Sequence, residues 1–89
     1  MQPAERLQVI EARLQKAFNP VFLEVRDDSA QHVGHAGSAG GAGHYAVIIG
    51  APGFKALSRM AVHRAVYAEL ADLIPGEIHA LQIRVVSAK

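Results

Sequence analysis

The sequence predicts a small α+β sandwich: one three-stranded mixed sheet with helices on one face, in the order α–β–β–α–α–β. Three observations lead there. Apolar residues recur at helical spacing near the start and again between Val62 and Leu73. Three short runs alternate apolar with polar residues, the period of a half-buried strand. The chain has 89 residues, 51% of them hydrophobic, and so can enclose one core. By surface scaling a folded chain of this size buries roughly 60–65% of its extended surface, which suits one domain spanning 1–89 and not two.

The first helix is expected from about Pro3 to Phe18, because Leu7, Ile10, Leu14 and Phe18 form its apolar stripe. Proline suits the first turn, and Asn19-Pro20 stops the helix. Val21, Leu23 and Val25 then alternate with Phe22, Glu24 and Arg26 as the first strand. From Asp27 to Gly43 the chain is rich in Gly, Ala, Ser and His; Gly34, Gly37, Gly40, Gly41 and Gly43 exclude regular structure. His44 to Ile49 is the second strand, with Tyr45, Val47 and Ile49 on one face. Gly50, Pro52 and Gly53 turn the chain into helix from about Phe54 to Ile74. That helix should break near Arg59 to Ala61, since a straight one would bury Arg59 within the stripe of Val62, Val66, Leu70 and Leu73. Pro75-Gly76 ends it, and Ile78 to Val86 is the third strand, with Leu81, Ile83 and Val85 on its core face.

Composition narrows the function. Cysteine is absent, which excludes a disulfide scaffold, a Cys nucleophile and a zinc or iron–sulfur site built from the chain's own thiolates. A net charge of +1 lacks the excess of Lys and Arg that a strongly electrostatic nucleic-acid binder needs. No apolar run approaches the roughly 20 residues of a membrane span, and the amphipathic start with Glu5 and Glu11 is not a signal peptide. The expected compartment is therefore the cytoplasm, with no membrane partner.

The five histidines are informative through their placement. His32 and His35 sit in the glycine-rich stretch, where imidazoles could ligate a transition metal, although two His three apart fit a solvated loop as readily. His79 shares parity with Leu81 and Ile83, as a hydrogen-bonded histidine at a buried strand edge would. His63 falls inside the helical stripe and reads as a core residue. His44 opens the second strand. Lys55, Arg59 and Arg64 have no acidic neighbour before Glu69, so they form either a solvated face or a phosphate-facing patch. No phosphate-binding loop, dinucleotide fingerprint or Ser/His/Asp arrangement is present, and the chain is not expected to be an enzyme.

Taken together, these segments resemble one family. Phe22-Leu23-Glu24-Val25, then Asp27-Asp28-Ser29, His32, His35 and His44-Tyr45 follow its order, as do His63-Arg64-Ala65-Val66-Tyr67, Leu70 and Ile78-His79-Ala80-Leu81. From Arg6 to Val86 the chain is similar to the BolA family. The resemblance implies a class II KH-like fold and a non-enzymatic partner of monothiol glutaredoxin in iron–sulfur cluster assembly, trafficking or iron sensing. The implied cofactor is a bridging 2Fe–2S cluster shared with glutaredoxin and glutathione, with none expected in the isolated protein. His79 and a histidine of the glycine-rich segment (His32, with His35 as the fallback) would be this chain's ligands; imidazole in place of thiolate raises a cluster's potential. The family resemblance also admits a weak homodimer. Its other implied role is a DNA-binding transcriptional regulator of stress or morphology genes, with Lys55, Arg59 and Arg64 as the contacting residues. Two departures stand out: Ala56 occupies the glycine of the family's Phe-x-Gly motif, and Val62 the first arginine of its Arg-His-Arg motif. The second removes a cation from the region that would meet DNA.

Overall fold

The computed structural model describes residues 1–29 and 42–88. Helix α1 spans Pro3–Phe18, strand β1 Phe22–Asp27 and strand β2 Gly43–Gly50. A 3₁₀ turn at Pro52–Ala56 precedes helix α2 at Arg59–Leu70; a second 3₁₀ turn at Ala71–Leu73 leads to strand β3 at Ile78–Val85.

α1 begins with proline in its first turn and ends at Asn19, whose N–H makes the last helical bond, to the Gln15 carbonyl at 3.0 Å, and whose left-handed backbone (φ 46°) turns the chain out of the helix. Ile10 and Leu14, one turn apart, are fully buried. Arg13, on another side of the helix, pairs with Asp72 through both guanidinium nitrogens and also donates to the Glu69 carbonyl at 3.2 Å. This fastens α1 to the end of α2.

β2 is the central strand, antiparallel to β1 and parallel to β3. The register sets the inner rows Leu23–Ile49–Val85 and Val25–Val47–Ile83 against the helices, and the outer rows Glu24–Ile48–Arg84 and Arg26–Ala46–Gln82 on the opposite face. Tyr45, Val47 and Ile49 meet Ile10 and Leu14 of α1 and Val62, Val66 and Leu70 of α2 in one core. The α+β sandwich with a mixed three-stranded sheet is thus the one expected.

The region after β2 departs from expectation. In place of a helix from Phe54 there is a 3₁₀ turn whose buried Phe54 packs edge-on against Phe18, ring centroids 5.3 Å apart. The chain then breaks at Leu57, and Ser58 caps α2 by accepting from the Ala61 N–H at 3.0 Å. Arg59 consequently falls in the first turn of α2, beyond the edge of the core, and its charge reaches water. His63 is half-buried and flanks the Val62–Val66–Leu70 stripe without belonging to it, so the core placement read from periodicity does not hold.

Candidate metal centre

The site is built where β3 begins beside β2. Gly43 pairs with Ile78, yet the next residue, His44, pairs with Ala80. His79 is the extra residue of a bulge in a parallel pair. The bulge reverses side-chain parity across one residue: Ile78 is buried (1% exposed), His79 is exposed, and Leu81 is buried again. His79 is therefore not the buried-edge histidine that parity with Leu81 suggested. Its ring lies 5.2 Å from that of His44, tilted by 51°, and His44 itself is buried.

Both strand starts are anchored from below. Gly43 donates its N–H to the Glu77 carbonyl at 3.0 Å. A Cβ on Gly43 would lie 2.4 Å from the Tyr45 ring, so only glycine lets the tyrosine pack there. The Arg6 guanidinium donates to Glu77 at 2.8 Å and the N-terminal amine lies 3.7 Å from the other carboxylate oxygen. The Arg6 hydrogen bond holds the Glu77 carboxyl below the usual carboxylate range. Burial pushes the Tyr45 hydroxyl up, against the opposing effect of Arg6. Glu77 is thereby fixed two residues before His79.

The end of β1 is drawn to the same place. Ser29 accepts from the His44 N–H at 3.0 Å, the Asp28 N–H donates to the His44 carbonyl at 2.7 Å, and Asp27 accepts from the Ser29 N–H at 2.9 Å. The Asp27-Asp28-Ser29 motif of the sequence is thus a stitch that holds the chain against β2 beside His44. His32 and His35 lie outside the described residues, three and six positions beyond Ser29. Among the described residues no group of three or more His, Asp or Glu side chains converges to hold a metal ion, and the chain has no cysteine. The imidazoles at this end are exposed His79 and, behind it, buried His44. The contact between His44 and His79 has no signature in sequence, because their separation of 35 residues closes only through the parallel pairing.

The basic residues are arranged differently from the sequence grouping. Lys55, Arg59 and Arg64 are all exposed, and none forms an ion pair among the described residues. Arg59 meets Arg84 of β3 across a cavity of about 560 Å³, whose lining does not include Lys55 or Arg64.

A family model described as BolA-like protein matches residues 14–89. The chain belongs to the BolA family. BolA-like protein 1 of Bos taurus is 37% identical over 75 residues, covering 84% of this chain and 53% of the relative, so the chain spans about half of that protein's length. The DNA-binding transcriptional regulator BolA of Escherichia coli (strain K12) is 36% identical over 80 residues, 90% of this chain and 73% of that protein. The solved BolA domain of SufE1 from Arabidopsis thaliana superposes with a TM-score of 0.79 at 34% identity, covering 92% of this chain and 91% of that one.

Proposed function

We propose that this BolA-family chain is a non-enzymatic adaptor that pairs with a monothiol glutaredoxin and co-ligates a bridging 2Fe–2S cluster, completed by glutathione. The observation that carries the reading is His79 held outward on a bulge, against the ring of buried His44. A histidine turned out of the core at a pinned strand start is available to a centre shared between two proteins. His79 is the fixed ligand in this reading. The second comes from His32, with His35 next in line, and three residues of chain from Ser29 span at most about 11 Å. With no cysteine in the chain, the nitrogen donors that replace thiolates in this reading are its imidazoles. The bound cluster would supply electron-transfer or transfer-cargo chemistry; the chain's residues supply direction and contact.

The test is titration of cluster-loaded glutaredoxin with this protein, followed by visible circular dichroism. The spectrum should change shape on mixing, lose that change with His79→Ala, and weaken with His32→Ala or with His32 and His35 both replaced. An unchanged mixed-complex spectrum when His32, His35 and His79 are all replaced would contradict the ligand assignment.

A second reading is DNA binding through Lys55, Arg59 and Arg64, favoured by their exposure without ion pairs and by the E. coli relative's name. Its mark would be a steep fall of DNA affinity with salt, of slope about −0.9 per phosphate contact. A flat salt dependence would count against it.

A further inference from the structure

β3 is an edge strand, and two hydrogen bonds fix which of its backbone groups face outward. The Tyr67 hydroxyl of α2 donates to the Leu81 carbonyl at 2.8 Å from outside the sheet. The Val86 N–H donates to the Ile49 carbonyl at 2.9 Å, inside it. Since successive residues of a strand point their N–H and C=O groups to alternate sides, Ile83 and Val85 share the outward direction of Leu81. Tyr67 engages the Leu81 carbonyl; among the described residues no strand pairs with Ile83 or Val85 along this edge. An unpaired edge is a template for another extended chain.

The surroundings of that edge select the occupant. Two cavities of about 510 and 560 Å³ share His63, Ile83 and Arg84 as walls and run along the strand from Leu81 to Ser87. Arg59 stands on the helix side of the edge, and Arg84 projects from the outer face of the sheet. Neither arginine has an ion-pair partner among the described residues. We propose that the free edge of β3 binds an extended acidic peptide segment as a fourth strand, its backbone on Ile83 and Val85 and its carboxylates on Arg59 and Arg84. Side chains of an added strand alternate between the two faces, so carboxylates on one face meet Arg59 and those on the other meet Arg84. A DNA backbone fits less well: it offers acceptors for the arginines but no donors for the outward carbonyls of Ile83 and Val85. This surface is independent of the histidine site.

The probe is a fluorescein-labelled, amidated octapeptide of Glu-Glu-Val-Val repeated twice, which puts carboxylates on both faces of a strand and valines on both edges, read by anisotropy at low salt, with amide shifts of the protein followed by NMR. Saturable binding is expected, with the largest shifts at the Ile83 and Val85 amides. Arg59→Glu with Arg84→Glu should weaken it by about tenfold or more. N-methylation of the valines, which removes backbone donors while keeping every charge, should abolish it with the unaltered protein. That second comparison stands even if the double variant fails to fold. Equal binding of the N-methylated peptide, equal binding of a lysine–valine octapeptide, or shifts confined to other amides would overturn the proposal. So would a short DNA duplex that moves the same two amides while the acidic peptide does not.

Discussion

Gly50 pairs with Phe22 of β1 at the end of β2, and replacing it with alanine isolates the effect of one methyl group. The Gly50 carbonyl accepts from the Val21 N–H at 2.9 Å, and the neighbouring Ile49 carbonyl accepts from Val86 at the same distance. A Cβ at this position would stand 2.8 Å from the Ser87 carbonyl oxygen, 2.9 Å from that of Val86 and 3.1 Å from a Val86 methyl. Ordinary contact starts near 3.4 Å, so the backbone of residues 86–87 must retreat by about 0.6 Å. That movement strains the Val86 bond to Ile49. Overpacking costs about 1–3 kcal/mol and a weakened hydrogen bond up to about 1 kcal/mol, against about 0.4–1 kcal/mol gained by restricting the unfolded chain. At the middle of these ranges the net loss is about 2 kcal/mol, which lowers Tm by about 8–16 °C in a domain of this size. Gly53→Ala is the matched control, since nothing lies within 4 Å of its added methyl and its backbone is not left-handed; it should melt at or slightly above the parent. Thermal unfolding by circular dichroism reads both. A Gly50→Ala protein melting no lower than the parent would refute the clash, and equal losses in the two variants would refute its location.

Tyr67→Phe should lower stability by about 1 kcal/mol through loss of the bond to the Leu81 carbonyl, read as a shifted urea midpoint; an unmoved midpoint would contradict it. His63→Ala should cost clearly less than Val66→Ala, because His63 is half-buried and its buried Nε2 has no hydrogen-bond partner among the described residues, whereas Val66 is wholly enclosed. Denaturant melts that rank them the other way would restore His63 to the core. Acid should weaken the fold through two carboxylates. Asp72 and Glu77 are both held low by their arginines, so the unfolded chain binds more protons than the folded one as pH falls. Their contribution is complete above the ordinary carboxylate pKa of about 4 and is lost as pH drops through the lower folded values. Arg6→Gln with Arg13→Gln should flatten the stability profile in that window, and an unchanged profile would count against the pairs.

Much of the fold is legible because one physical signal dominates each element. α1 runs from Pro3 to Phe18 as expected, since its stripe, its first-turn proline and its Asn-Pro stop agree. β1 and β2 follow their alternation to within a residue. The segment after β2 carries competing signals. Phe54 carries an apolar side chain at helical spacing, but Pro52, Gly53 and the capping serine at 58 divide the run, and the local chemistry outweighs the periodicity. The site is less legible than the fold. Parity put His79 with Leu81; the bulge that turns it outward is set by pairing to Gly43 and His44, which no local pattern encodes. His63 differs from Val62 by one helical step of 100°, enough to move it from the core to its margin. Arg84 joins Arg59 only because α2 lies along β3, a proximity that no local pattern of charges encodes.

The proposed function rests on imidazoles of this chain ligating a cluster held jointly with glutaredoxin. The most direct measurement is pulsed electron paramagnetic resonance on the reduced mixed complex, with this protein alone labelled with ¹⁵N-histidine. ¹⁵N couplings of directly bound imidazole nitrogens are expected, reduced when His32 and His35 are replaced and lost when His79 is replaced by alanine. A reduced complex with no ¹⁵N-histidine coupling, or one whose couplings survive all three replacements, would contradict it.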